Sequence, residues 1–241
     1  MHENSPKSYR GSIIVFGAPT VVGLWFVSSF ALNYLTSDPS RFGIYAPRRE
    51  WLTAHVAAGV AALLLGPAQL WLGLNRRTKS LHRIAGIAYV AAVAVSGAAA
   101  FYLAAHTDFG WVFGMGLTTM AATWMLSTVL AILAILCHQA QQHREWMIRS
   151  YVLTFAFVTI RCVEALLDIM KGGNIVDRMS AAAWLGWIMP LVVTEALMQG
   201  QKIFARPATV AQMRVVSADN AAPAPMAFDL QGSESSYLHR P

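Results

Sequence analysis

Three histidines stand at the ends of long apolar stretches of this chain: His55, His82 and His143. Neutral imidazoles are common axial ligands of haem iron, and helix bundles hold such cofactors between side chains that project inward from facing helices. His82 and His143 fall near one predicted membrane face, and His55 falls near the other. This arrangement predicts that the three histidines bind metal as ligands of haem b in a transmembrane electron carrier.

A glycine follows two of these histidines at a spacing of four residues, Gly59 after His55 and Gly86 after His82. Residues four apart share one face of a helix. A glycine at that position leaves room beside the ligand for a flat macrocycle, so we place Gly59 and Gly86 in the cofactor site. Two simpler interpretations stay open: an Ala- and Gly-rich chain produces such spacing by chance, and a histidine at a helix end is often only a polar residue at a polar depth.

Arg161 lies inside the fifth apolar stretch, where a charged side chain costs about 2.5–3.5 kcal/mol on insertion scales. We therefore expect it to face the bundle interior and to pair with Glu164 or Asp168. It is either half of a buried ion pair that fixes helix packing or part of an anion site. In the second case it would bind a haem propionate or a substrate head group, since Arg suits bidentate carboxylate recognition.

The apolar stretches define the elements that must position these side chains. Hydrophobic residues make up 56% of the chain and charged residues only 12%, whereas a soluble domain carries roughly 25% charged residues. Six stretches have about the length of 20 residues that a helix needs to cross the hydrocarbon core. They are Ser12 to Leu35, Trp51 to Leu74, Ile84 to Ala105, Trp111 to Cys137, Trp146 to Met170 and Ala181 to Met198. The predicted fold is all-α, a polytopic membrane protein with a bundle of six transmembrane helices.

The chain divides into three predicted parts. Residues 1–11 form a cytoplasmic N-terminal segment, residues 12–204 form the six-span membrane domain, and residues 205–241 form a cytoplasmic tail. The tail is rich in Pro, Ala and Ser and has no clean periodicity, which is typical of disordered segments.

The positive charges predict the orientation. Of the 18 Lys and Arg residues, twelve fall on the side of the N-terminus, five fall on the opposite side, and Arg161 lies within a span. By the positive-inside rule both termini are expected in the cytoplasm, in a bacterial inner membrane. The positive residues on that side are expected to meet anionic lipid head groups of the bilayer. The chain has no separate basic domain, so nucleic acid is not an expected partner.

Several sequence words, in a fixed order, resemble a known bacterial family. The words are His55-x-x-x-Gly59, Leu65-Gly66-Pro67-Ala68-Gln69, Leu81-His82-Arg83-x-x-Gly86-x-x-Tyr89 and His143-Arg144-x-Trp146-Met147-Ile148-Arg149-Ser150-Tyr151, with Arg161 after them. The resemblance covers about Trp51 to Met170 and is to predicted membrane proteins catalogued as domain of unknown function 2306. It implies a multi-span helical fold and supplies no activity.

A more distant similarity is to cytochrome b-561-type haem membrane proteins, through the word Ser80-Leu81-His82 and the glycine that follows it. Those proteins hold two haems with four histidines on four successive helices. Here three positions match, whereas neither His106 nor His138 is a persuasive fourth, so one haem, or none, stays open.

The leading hypothesis for function is a b-type haem protein that transfers electrons across the membrane, exchanging them with quinone or another redox protein. One alternative is a cofactor-free membrane protein, such as a small transporter or an assembly factor. Another is a membrane hydrolase that holds zinc with His55, Glu164 and Asp168. Whether the protein is an enzyme stays open at this point, as does its oligomeric state.

Overall fold

The computed structural model describes residues 20–36, 38–73 and 78–204. The predicted segment 1–11, the start of the first predicted span and the predicted disordered tail 205–241 lie outside the described residues. By its internal contacts the chain divides into two units, Met1–Leu197 and Met198–Pro241. Of the second unit, the described part is the end of the last helix, residues 198–204.

Every regular element in the described residues is a helix, so the predicted all-α class is confirmed. Each of the five long helices covers one of the predicted spans. In chain order the elements are α1 (Thr20–Ser29), the 3₁₀ helices η1 (Ala31–Tyr34) and η2 (Pro39–Arg48), α2 (Arg49–Gly73), α3 (Lys79–Ala105), α4 (Trp111–Leu136), α5 (Ala140–Ile169) and α6 (Ile175–Phe204).

Four of these helices close into a ring. Helix α2 packs on α3, α3 on α4 and α4 on α5, and α5 contacts α2 again. Helices that follow one another in the chain are antiparallel, because short connections join them. For example, His82 at the start of α3 contacts Gln69 near the end of α2. We call the end at which α2 and α4 begin the Trp51 end, and the end at which α3 and α5 begin the His82 end.

Helix α6 lies against α4 and α5. The Trp184 indole N–H donates to the backbone oxygen of Val112, 3.1 Å away, and the Thr159 hydroxyl donates to the backbone oxygen of Gly186. A Cβ at Gly186 would lie 2.7 Å from Ile160 Cα, so the two helices touch at their backbones. Small residues permit this close approach, which is how helices associate in lipid without a hydrophobic driving force.

The core lies inside the ring, about midway along the helices. Tyr89, Trp124 and Leu153 are fully buried there, and Ala62 and Ala156 fill the narrow spaces between the helices. Large residues on some helices thus meet small residues on others, and the interior is closely packed.

Of the six predicted spans, the described residues support four by length and composition. Four segments are long and apolar enough to cross a membrane: Ser40–Gly73, Lys79–Ala105, Trp111–Leu136 and Ile175–Phe204. Helix α5 has 30 residues but is not among them, and it carries charged residues such as Glu145, Arg149 and Arg161. Of the first predicted span, α1 is the described helical part. Six transmembrane helices, both termini in the cytoplasm and the inner membrane therefore stay predictions.

Candidate functional site

His82, in the first turn of α3, is held by Gln69 of α2 through two contacts. The imidazole Nδ1 lies 3.2 Å from the Gln69 backbone oxygen, and the Gln69 amide Nε2 donates to the His82 backbone oxygen at 2.8 Å. Gly73 lies beside the ring, since a Cβ there would lie 3.3 Å from the imidazole Cε1. The side chain of Gln69 is buried, and His82 is therefore fixed against α2.

His143, in the first turn of α5, is held by the neighbouring helix in a similar way. Its Nδ1 lies 2.8 Å from the backbone oxygen of Ala131 in α4. No hydrogen bond or ring contact between the His143 and His82 imidazoles is found in the described part of the chain. Each ring instead bridges its own helix to the antiparallel neighbour.

The positions of these two histidines are nevertheless linked through Tyr89 and Ser150, whose hydroxyl oxygens lie 2.8 Å apart. Tyr89 follows His82 by seven residues, and Ser150 follows His143 by seven. Seven residues are close to two full turns, so each pair shares one helix face over about 10.5 Å. Helices α3 and α5 run in the same direction. His82 and His143 therefore lie at about the same level of the His82 end, each two turns from the contact between their helices.

A buried network of hydroxyl groups surrounds the Tyr89–Ser150 contact. The Tyr89 hydroxyl also lies 2.8 Å from Thr154 Oγ1, the Trp124 indole N–H donates to Thr154 Oγ1 at 2.9 Å, and Thr128 Oγ1 lies 2.8 Å from Ser150 Oγ. All five side chains are at most 3% exposed. Three helices of the ring are thus joined by hydrogen bonds at the bundle centre, where water is excluded.

The hydrogen bonds of His82 and His143 also decide their tautomers. A backbone carbonyl oxygen only accepts, so the Nδ1 that meets it carries the ring proton in the neutral side chain. The lone pair then lies on Nε2, for which the described residues supply no hydrogen-bond donor. Histidines that bind metal are commonly held in this way, with one ring nitrogen on a carbonyl and the other on the metal.

His55, towards the Trp51 end, has different surroundings. Its Nδ1 lies 3.0 Å from the backbone oxygen of Ser96 and 3.1 Å from Ser96 Oγ, and its ring packs on Phe157 with centroids 5.0 Å apart. A Cβ at Gly59 would lie 3.3 Å from Phe157 Cζ and 3.4 Å from Ser96 Oγ. The space that sequence analysis assigned to a macrocycle beside Gly59 is therefore filled by side chains.

Gly86, the other predicted glycine, faces the side chain of Gln69. A Cβ there would lie 3.6 Å from Gln69 Oε1, which is ordinary van der Waals contact. His106, the weakest ligand candidate, is exposed at the Trp51 end, where its ring stacks on Tyr102 at a centroid distance of 4.2 Å. His106 and His55 are joined by no contact in the described residues.

Arg161 pairs with Glu164 at 2.7 Å, as one of the two predicted partners. The pair is more exposed than expected, because the Arg161 side chain is 45% accessible and not enclosed by the bundle. Asp168, the other predicted partner, pairs with Arg178 at 3.2 Å.

Glu164 and Asp168, the two acids of the zinc hydrolase hypothesis, are therefore paired with different arginines. Among the described residues no three His, Cys, Asp or Glu side chains are close enough to share a metal ion.

A second charged cluster lies near the His82 end. Arg149 donates to Glu195 from Nε at 2.9 Å and from Nη2 at 2.7 Å, and its guanidinium lies 4.7 Å from the centre of the Trp146 ring. Glu145, which sequence analysis did not single out, is 5% exposed and accepts from Gln141 at 3.0 Å. Arg149 thus contacts α6, and Glu145 contacts a residue of its own helix.

The comparisons with known proteins identify the chain at the level of a family. No curated protein and no solved structure matches it. The family model described as "Predicted membrane protein (DUF2306)" matches residues 52–198. This range contains α3 to α5 completely and all three histidines. Because it covers more than half of the 241 residues, the chain belongs to this family of predicted membrane proteins and is an integral membrane protein of the lipid bilayer.

Proposed function

We propose that this membrane protein binds one b-type haem between α3 and α5 at the His82 end, where His82 and His143 would hold it. The observation that carries the proposal is the contact of Tyr89 with Ser150, 2.8 Å between hydroxyl oxygens. It brings together the two helix faces on which the histidines lie two turns away. When bound, the haem would supply one-electron chemistry, and the protein would exchange electrons with quinone or another redox protein.

The donor set suits this cofactor. Both imidazoles direct Nδ1 to a backbone oxygen, at 3.2 Å for His82 and 2.8 Å for His143, which leaves Nε2 as the metal-binding atom. The carbonyl contacts also fix the plane of each ring before any ligand binds, which reduces the entropy lost on binding. Gln69 holds His82, and Ala131 holds His143. These residues would orient the ligands from α2 and α4, the helices that flank the site.

We propose that the protein binds one haem and not two. At His55 the place beside Gly59 is taken by Phe157 and Ser96, both in van der Waals range of the missing Cβ. Within the described residues no contact joins a second histidine to His55, and His106 is stacked on Tyr102 at the bundle surface. His55 and Gly59 therefore belong to helix packing in this proposal, and Arg161 acts as the partner of Glu164.

A cofactor-free membrane protein, such as a small transporter or an assembly factor, is the second candidate. It is favoured by the observation that His55, His82 and His143 each bridge two helices through the protein's own carbonyl oxygens. Such bonds stabilise helix association in lipid without any ligand, by roughly 0.6–2 kcal/mol each.

Visible spectroscopy separates the two candidates. Protein purified from membranes should show a reducible haem band with one haem per chain. His82→Gln and His143→Gln should lose the band, whereas His55→Gln should keep it. His138→Asn is the matched control, because His138 lies exposed at the same end, and asparagine tolerates its backbone φ of 60°. A wild-type protein without a reducible band, or a band that depends on His55 and not on His82, would contradict the proposal.

A further inference from the structure

Polar side chains recur along one face of α3 at intervals of seven residues: His82, Tyr89 and Ser96. Tyr89 and Ser96 are completely buried. Fourteen residues of helix span about 21 Å, which is most of the roughly 30 Å thickness of the hydrocarbon core. Burying hydroxyl groups at this depth is costly unless each has a partner. Groups that could exchange protons therefore lie along about 21 Å of α3.

The first segment of this polar column is a chain of hydroxyl groups at the bundle centre, which begins one helix turn from the His143 contact. His143 contacts Ala131, which is one turn from Thr128, and Thr128 Oγ1 lies 2.8 Å from Ser150 Oγ. Ser150 and Thr154 each lie 2.8 Å from the Tyr89 hydroxyl. A hydroxyl group both accepts and donates. When a proton binds to one of these hydroxyl oxygens, that oxygen can pass its own proton to the neighbouring hydroxyl oxygen. The number of O–H bonds in the chain of hydroxyl groups is unchanged by each such step.

The second segment lies towards the Trp51 end. Ser96 donates to the His55 backbone oxygen at 3.0 Å and lies 3.1 Å from the imidazole Nδ1. Arg161 and Glu164, beyond them on α5, are partly accessible. This segment therefore consists of the partly buried His55 imidazole and the Ser96 hydroxyl, and Arg161 lies one helix turn beyond Phe157 on α5.

Phe157 separates the two segments. Its ring lies 5.0 Å from the His55 ring and 5.7 Å from the Trp124 ring, centroid to centroid. It occupies the place that the absent Cβ of Gly59 leaves open, with Cζ 3.3 Å from that position. A phenyl ring neither accepts nor donates a proton in such a relay. We infer that the bundle contains a proton path in two segments and that the Phe157 side chain, seated on Gly59, closes it.

Proton flux into proteoliposomes tests this assignment, with the full-length protein, a potassium-diffusion potential and an internal pH-sensitive dye. Wild-type protein and Phe157→Leu, which keeps apolar bulk at the site, should stay at the rate of protein-free liposomes. Phe157→Ala should raise the flux about tenfold or more, equivalent to lowering a barrier by about 1.4 kcal/mol. The double variant Phe157→Ala/Tyr89→Phe should return to the low rate, because it interrupts the first segment.

Phe113→Ala is the matched control for a general loss of packing. Phe113 is a ring of the bundle that is at least as buried as Phe157, 6% exposed, and it packs on Phe109. Size-exclusion chromatography and circular dichroism would establish that each variant is folded. Three results with the variants would overturn the inference: no added flux in folded Phe157→Ala, an equal rise in Phe113→Ala, or a flux in Phe157→Ala that the added Tyr89→Phe change does not reduce. High flux through the wild-type protein would overturn it as well. None of these results depends on haem.

Discussion

His82 and Gln69 bind each other twice: Gln69 Nε2 donates to the His82 backbone oxygen at 2.8 Å, and His82 Nδ1 meets the Gln69 backbone oxygen at 3.2 Å. One contact needs the Gln69 side chain, whereas the other needs only its backbone. A substitution of Gln69 therefore removes one of the two contacts and leaves the other in place.

Gln69→Leu should lower the free energy of unfolding by about 0.5–1.5 kcal/mol, the usual net value of one hydrogen bond. The measurement is thermal unfolding of the detergent-solubilised protein. Gln142→Leu is the control, because Gln142 is exposed near the same end. Nitrogen NMR of the imidazoles should still report a proton on Nδ1 of His82 in Gln69→Leu. A change of tautomer there would contradict the backbone contact.

Two buried tyrosines provide a matched pair. The Tyr89 hydroxyl bonds to Ser150 and Thr154, whereas the Tyr151 hydroxyl is buried without a partner in the described part of the chain. Tyr89→Phe should destabilise the protein by about 1 kcal/mol or more. Tyr151→Phe should be neutral or stabilising, because an unsatisfied buried hydroxyl costs about 1–3 kcal/mol. Unfolding followed by tryptophan fluorescence gives both values, and the reverse order would show that Tyr151 has a partner in the membrane-embedded protein.

Much of the helical architecture is readable from the sequence, since the apolar blocks mark α2 to α6 to within a few residues at most ends. The seven-residue spacing of His82, Tyr89 and Ser96 is also visible there. The hydrogen-bond partners of these residues cannot be read from the sequence, because they depend on how far α2 and α5 are shifted along α3. Gly59 is the clearest example. The sequence predicts a cofactor beside Gly59, but the ring of Phe157, which is distant in the chain, fills that space.

The closest approach of two helices predicts a steric effect. An Ala Cβ at Gly186 would lie 2.7 Å from Ile160 Cα and 2.9 Å from Ile160 N, and backbone atoms cannot rotate away. Gly186→Ala should therefore destabilise the protein by about 1–3 kcal/mol, the cost typical of overpacking. Gly200→Ala is the control, since nothing lies within 4 Å of its Cβ position and alanine favours the helix. Equal melting temperatures of the two variants would refute the contact.

The ion pair at the Trp51 end predicts a dependence on pH. Arg48 Nη1 donates to Asp108 at 2.9 Å, and this hydrogen bond holds the pKa of the Asp108 carboxyl below its usual value. A depressed folded-state pKa stabilises the protein above the unfolded pKa of about 3.9, and the effect disappears as the pH falls through the folded value. Asp108→Asn should thus melt slightly lower than wild type at pH 7, and the two should converge once the pH falls below the folded-state pKa of Asp108. The difference should also shrink with salt, because the carboxylate is exposed. A difference that persists in acid would assign the effect to something other than the ion pair.

The orientation of the bundle is the last prediction. Five of the 18 Lys and Arg residues are predicted to lie on the Trp51 side and twelve on the other. Because cytoplasmic loops carry the excess of positive charge, the His82 end should face the cytoplasm. Reporter fusions after Lys79 and Gln201 should then give cytoplasmic activity, and a fusion after Asp108 should give external activity. Replacing Arg83 and Arg144, both exposed at the His82 end, by Gln should weaken this bias, whereas the same change at Arg41 should not. External activity after Lys79 would invert the bundle and place the proposed haem on the other side of the membrane.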